Sequence, residues 1–170
     1  MIKDFFIKLE SKENGKYIFK AETLYMGKGT RGKEDTHFLT VKYKGCQIKV
    51  IYKLGVSNVG LITCDSIDAK DQLTIKPFEI YSISHLSNLF LRKNNRLAVR
   101  SKDLELKRSI LNSKEFIELC KISKALNFSP IIYNKAESEK IVAEYFLEFK
   151  DNILVIEPII AFYKCLIDNK

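Results

Sequence analysis

The residues Gly27-Lys-Gly-Thr-Arg-Gly32 match the glycine-rich pattern G-x-G-x-x-G, which cradles a pyrophosphate when a strand precedes it and a helix N-terminus comes directly after it. A β-favouring run does precede it. The next residues, however, are Lys33-Glu-Asp-Thr-His37 and a second β-favouring run, so no helix amides are in place to hold a phosphate. The segment from Gly27 to Thr36 therefore reads as a mobile, solvated hairpin loop, in which Lys28, Arg31 and Lys33 offer at most a weak contact for an anion.

Arginine carries a sharper signal. Lysine supplies most of the 29 basic residues and is scattered through the chain, but four of the five arginines, Arg92, Arg96, Arg100 and Arg108, fall close together. Lys93, Lys102 and Lys107 join them. A planar guanidinium suits phosphate or carboxylate in a way that lysine does not. The candidate polyanion-binding set is thus Arg92, Lys93, Arg96, Arg100, Lys102 and Arg108. Against it, Asp103 and Glu105 interrupt the cluster, and Phe90 is the nearby aromatic on which a base could stack.

Catalytic patterns are absent. His37 and His85 stand far apart in sequence, and neither has metal-ligand spacing. His37 could be drawn as a dyad with Asp35 or Cys46, a pairing that chance supplies in any chain of this size. There is no G-x-S-x-G, no Walker lysine and no kinase-type set. The cysteines, Cys46, Cys64, Cys120 and Cys165, form no C-x-x-C, and most lie among apolar neighbours. They are expected to be reduced and buried, as in a cytoplasmic protein. No catalytic residue, metal site or cofactor is expected.

The elements that must position these residues begin with turn signals at Asn14-Gly15, Lys44-Gly45 and Gly55 to Gly60. Between them lie β-favouring runs at Lys16 to Met26, His37 to Tyr43, Cys46 to Tyr52 and Leu61 to Ile67. A fifth, Leu73 to Tyr81, is demoted to an edge or bulge by Pro77. Together they predict an antiparallel β-meander. Ser84 is expected to cap a short helix bearing Leu86, Leu89 and Phe90 on one side, and Leu97-Ala-Val99 to form a short strand. Helices are expected at Asp103 to Leu111 and Lys114 to Leu126, the second with Phe116, Leu119, Ile122 and Leu126 in one stripe. Asn112 and Glu115 have capping-box spacing between them.

Ser129-Pro130 ends that helix, and Ile131-Ile-Tyr133 with Ile141 to Phe149 predicts a second hairpin around residues 136–139. The segment Ile153 to Ile156 reads either as a last strand or as part of a kinked helix. A C-terminal helix from Pro158 to Asp168 is favoured by the spacing of Ile159, Phe162, Tyr163 and Leu166.

The 170 residues, 46% of them apolar and 29% charged, suit one α+β domain with a core of its own and an internal seam near residues 92–96. The N-terminal residues lack the apolar h-region of a signal peptide, and no stretch reaches the roughly 20 apolar residues that span a bilayer. The net charge of +8 favours an anionic partner, but a lysine bias spread over the whole chain weakens that inference. The expectation is a non-catalytic cytoplasmic binding or interaction module with a protein partner. The alternative is a nucleic-acid or polyanion binder that uses the cluster from Arg92 to Arg108.

Overall fold

A computed structural model describes residues 1–25, 27, 29–67, 75–83, 96–126, 129–134, 140–146 and 152–169. The fold is α+β: within those residues an antiparallel sheet of eight strands carries four α-helices. The chain opens with a helix that the turn and strand signals did not announce, α1 (Ile2–Glu13). Its cause is visible in the spacing of Ile2, Phe5, Phe6 and Leu9, which puts four apolar side chains on one face; Phe6 and Leu9 are fully buried. Asn14 in the left-handed conformation ends it, with the Gly15 amide donating to the Glu10 carbonyl at 2.9 Å.

Four strands come next in sequence order: β1 (Lys16–Tyr25), β2 (Arg31–Tyr43), β3 (Cys46–Gly55) and β4 (Val59–Ser66). Tyr43 and Cys46 close a two-residue turn in which Lys44 and Gly45 have φ of 44° and 74°, the left-handed pair this turn demands. The segment expected as a loop from Gly27 to Thr36 is shorter than that, because β2 begins at Arg31 and pairs with β1 throughout. Its charged residues are held in the strand by specific partners. Glu34 is buried, accepts from the Ser57 amide at 3.1 Å and pairs with Lys53 at 3.2 Å.

The meander stops at β4. The next strands are β5 (Phe78–Ser82), directly after Pro77, and β6 (Leu97–Ser101); both lie beyond the second hairpin, β7 (Ile131–Asn134) and β8 (Lys140–Phe146). The strand order is β1-β2-β3-β4-β8-β7-β5-β6. A fifth meander strand beside β4 is thus corrected: β8 takes that place, and β5 pairs with β7 and β6. The helix expected at Ser84 and most of the seam near residues 92–96 lie outside the described residues.

The helices α2 (Leu104–Asn112) and α3 (Lys114–Ala125) are separated as the spacing implied, but the cap is Ser113 rather than Asn112. The Ser113 hydroxyl accepts from the Phe116 amide at 3.2 Å, and the Asp103 carboxylate accepts from the Leu106 amide at 2.7 Å at the start of α2. The segment 152–155 is a 3₁₀ turn leading into α4 (Ile156–Asp168), so the strand alternative falls away. Pro158 occupies the third position of α4, where its missing N–H has no intrahelical partner to lose.

The four described helices pack on one side of the sheet. Alternation places Leu39, Val41, Ile48, Val50, Tyr52, Ile62, Ile141, Ala143 and Tyr145 on that side, all buried. From α4, Ile156, Ile159, Ile160, Phe162, Tyr163, Leu166 and Ile167 complete the core, and the buried Tyr163 hydroxyl donates to the Ile62 carbonyl at 2.9 Å. At its far end Asp168 accepts from the Tyr43 hydroxyl at 3.0 Å and the Lys44 ammonium at 2.6 Å, fastening α4 to the β2–β3 turn.

Gly60 on β4 lies opposite Tyr145 on β8, and the Tyr145 ring lies across it: a Cβ on residue 60 would meet Tyr145 Cζ at 2.2 Å. An aromatic ring folded over a strand glycine fills the space a side chain would otherwise take. Gly60→Ala is therefore expected to lower stability by about 1–3 kcal/mol, the usual cost of overpacking, read as a lower denaturation midpoint with an unchanged m-value.

Candidate binding face

The face opposite the helices is built by the other half of each strand's alternation. Across the strands, Ile18 lies opposite Phe38, Phe38 opposite Ile51, Ile51 opposite Leu61, Leu61 opposite Glu144, and Glu144 opposite Ile131. An apolar row broken by one carboxylate thus crosses six strands. On one side runs a row formed by Lys16, Thr40, Lys49, Thr63, Val142, Tyr133, Glu79 and Arg100. On the other runs Lys20, Thr36, Lys53, Val59 and Phe146. Ile18, Ile131 and Phe146 are 44%, 49% and 74% exposed. Cross-strand neighbours of this kind form a continuous surface, because facing side chains sit about 4.5–5.5 Å apart.

Two concavities meet at Ile131. One, of about 350 Å³, is lined by Val59, Leu61, Ile131, Glu144 and Phe146. The other, of about 900 Å³, is lined by Pro77, Glu79, Arg100, Lys102, Ile131 and Tyr133 among others. Asn134 also lines the larger one. Its position opposite Ile141 and Phe78, both buried in the core, puts its side chain on the helix side of the sheet, where Nδ2 donates to the Ile75 carbonyl at 2.6 Å.

The structure divides the arginine cluster. Arg100 and Lys102 share the larger concavity; Arg100 pairs with Glu79 at 3.0 Å and its guanidinium lies 4.9 Å from the centre of the Tyr81 ring. Arg96 turns away and donates to the Ser123 carbonyl in the last turn of α3 at 3.2 Å. Arg108 is exposed on α2. Arg92 and Lys93 lie outside the described residues. In the glycine-rich segment Lys28 is likewise outside them, Arg31 lies over the Tyr25 ring at 5.0 Å, and Lys33 stands in β2 opposite Thr23. Strand β2 occupies the place where a phosphate site would need a helix start. Tyr81, Tyr133, Ile131 and Phe146 were missed as a group because each strand supplies only one or two of them, and only the register brings them onto one face.

The side chains with nucleophilic or acid–base chemistry are elsewhere. Burial pushes the Cys120 and Cys165 thiols up to about 11, so both stay protonated at neutral pH and are poor nucleophiles. Cys46 and Cys64 are buried on the helix side of β3 and β4. Among the described residues, no three His, Cys, Asp or Glu side chains gather as metal ligands would. His37, 3% exposed, is stacked 5.0 Å from Phe6 between α1 and the sheet, with Tyr17 Oη 2.7 Å from its Nδ1.

Burial lowers the pKa of His37 from 6.5, with nearby Lys3 acting the same way and Asp35 opposing it. As pH falls, the unfolded chain takes up this proton before the folded one does. The contribution of His37 to stability is thus complete above about pH 6.5 and is lost progressively below it, towards the lowered folded pKa. Urea denaturation at pH 7.5 and 5.5 should show a smaller drop in stability for His37→Phe than for the wild type.

No family model, no curated protein and no solved structure matches this chain.

Proposed function

We propose that this chain is a non-catalytic binding module, cytoplasmic by its free thiols, that receives an extended polypeptide on the face of its sheet opposite the described helices. The observation that carries the reading is the apolar row ending at Ile131, where the two concavities meet. An extended segment presents alternate side chains to such a surface. Apolar ones fit along Phe38, Ile51, Leu61 and Ile131. Carboxylates on the same segment would meet Lys102 and Arg100 at the larger concavity.

A polypeptide fits this face better than a nucleic acid does. Its cations alternate with carboxylates: Lys49 pairs with Asp65 at 3.3 Å, Lys53 with Glu34, and Arg100 with Glu79. Phosphates laid along these rows would meet the acids as well as the bases. The described arginines of the cluster are split: Arg100 lies on this face, Arg96 contacts α3 and Arg108 stands on α2. Four cysteines held as free thiols support work in a reducing compartment, and no helix among the described residues is long and apolar enough to cross a membrane.

The test is selection of peptides from a random display library on the native protein. Selected sequences should combine apolar and acidic residues. Ile131→Asp, at a half-exposed position where the fold tolerates change, should weaken their binding at least roughly tenfold, as losing a central anchor does. Tight, salt-sensitive binding of a generic duplex that disappears in an Arg100→Ala, Lys102→Ala variant would overturn this reading in favour of a polyanion-binding protein.

A further inference from the structure

Strand β1 is one edge of the sheet, and its outward-pointing groups can be read from two independent observations. The two-residue turn makes Tyr43 and Cys46 a hydrogen-bonded pair, so odd-numbered residues of β2 bond to β3 and even-numbered ones bond to β1. Thr40 faces Lys16, so the even residues of β1 bond inward and Tyr17, Phe19, Ala21, Thr23 and Tyr25 point their N–H and C=O groups outward. The Tyr17 amide agrees: it donates to Glu10 Oε1 at 2.8 Å instead of to β2. Beyond that bond, Ala21, Thr23 and Tyr25 are exposed. A long strand edge of this kind is a template for another strand.

The sequence of this edge is complementary to itself when reversed about Ala21. We propose that the chain forms a two-fold homodimer by antiparallel pairing of β1 with the β1 of a second copy, centred on Ala21. Ala21 then faces Ala21 of the second copy across a hydrogen-bonded pair, where a small side chain at the axis avoids a clash. Lys20 faces Glu22 and Glu22 faces Lys20, both at non-hydrogen-bonded positions, where facing side chains are closest. Outside them Ile18 faces Leu24, and on the other face Phe19 meets Thr23. Because Glu10 holds the Tyr17 amide, the ladder runs between Ile18 and Leu24 of each copy.

Charge favours this register over its two neighbours. Moving the axis by one residue sets either Lys20 against Lys20 or Glu22 against Glu22, and like charges directly opposite are destabilising. In an antiparallel pair facing side chains share a side of the sheet, so both sets of helices lie on the same side. The opposite faces then join, with Ile18 of one copy beside Leu24 of the other. This dimer does not rest on the binding face proposed above, which could fail while the dimer stands.

Sedimentation velocity over a range of protein concentrations tests it. The wild type should show a monomer–dimer equilibrium. Ala21→Pro removes an N–H that points away from β2 and leaves the inner ladder whole. It should sediment as a monomer at every concentration and, at concentrations where the wild type is also monomeric, keep the wild-type circular dichroism spectrum and melting temperature. Lys20→Glu and Glu22→Lys should each raise the dimer dissociation constant roughly tenfold, and the double exchange should restore it. A wild type that stays monomeric at every concentration, or a dimer that neither proline nor the single charge reversals weaken, overturns the proposal. Failure of the double exchange to restore association overturns the register centred on Ala21.

Discussion

Seven side chains of α4, from Ile156 to Ile167, are buried against the middle of the sheet and against α3, and this one helix closes the core. Each such side chain contributes about 1.5–3 kcal/mol when fully buried. Together they amount to about 10–20 kcal/mol, comparable with the roughly 5–15 kcal/mol by which a domain of this kind is stable. The polar connections of α4 fix its position more than they add to its stability. The Tyr163 hydroxyl on the Ile62 carbonyl ties its middle to β4, Asp168 ties its end to the turn at Tyr43 and Lys44, and Lys164 and Glu157 pair with Glu13 and Lys12 of α1. With one side of the sheet committed to the helices, the other side is left to carry alternate residues of every strand. The binding face is a result of that division.

The same division explains why the charged residues of the sheet are paired as they are. Glu34 is almost wholly buried on the side opposite the described helices. The Ser57 hydroxyl, with Lys53 behind it, holds its carboxyl below the usual range against the opposing effect of burial. Such pairs settle the rows on either side of the apolar one, so the face has alternating charge instead of a positive field. A net charge of +8 spread over a chain is a different thing from a positive surface.

Local signals in the sequence translate well into local structure. Lys44-Gly45 specifies the β2–β3 turn, Asp103 the start of α2, and the spacing of Ile159, Phe162, Tyr163 and Leu166 the buried stripe of α4. The cap between α2 and α3 is one residue from its expected place because Asn112 and Ser113 are both good caps, and only the Phe116 amide chooses between them. Helix α1 was legible in Ile2, Phe5, Phe6 and Leu9, but the charges between them hide the period when the segment is scanned for a continuous apolar run. The position of β5 was not legible. Strand order is a property of distant pairings, and nothing within Phe78–Ser82 states whether β4 or β7 will lie beside it. The candidate face falls between these cases: its residues alternate visibly in each strand, but their alignment into a row depends on five registers at once.

The placement of β8 beside β4 also has a consequence for synthesis of the chain on the ribosome. Val59–Ser66 emerges first, and its partner emerges about 80 residues later. At the usual elongation rates of about 5–20 residues per second, β4 waits on the order of 4–16 s for that partner. Throughout that interval the nascent sheet ends in a strand whose outer backbone groups are unpaired and whose Ile62 and Cys64, destined for the core, have yet to meet α4. The edge that is most protected in the finished molecule is therefore the most vulnerable during translation. A chaperone that holds this chain would be expected to engage it there, and to let go once Lys140–Phe146 has been made.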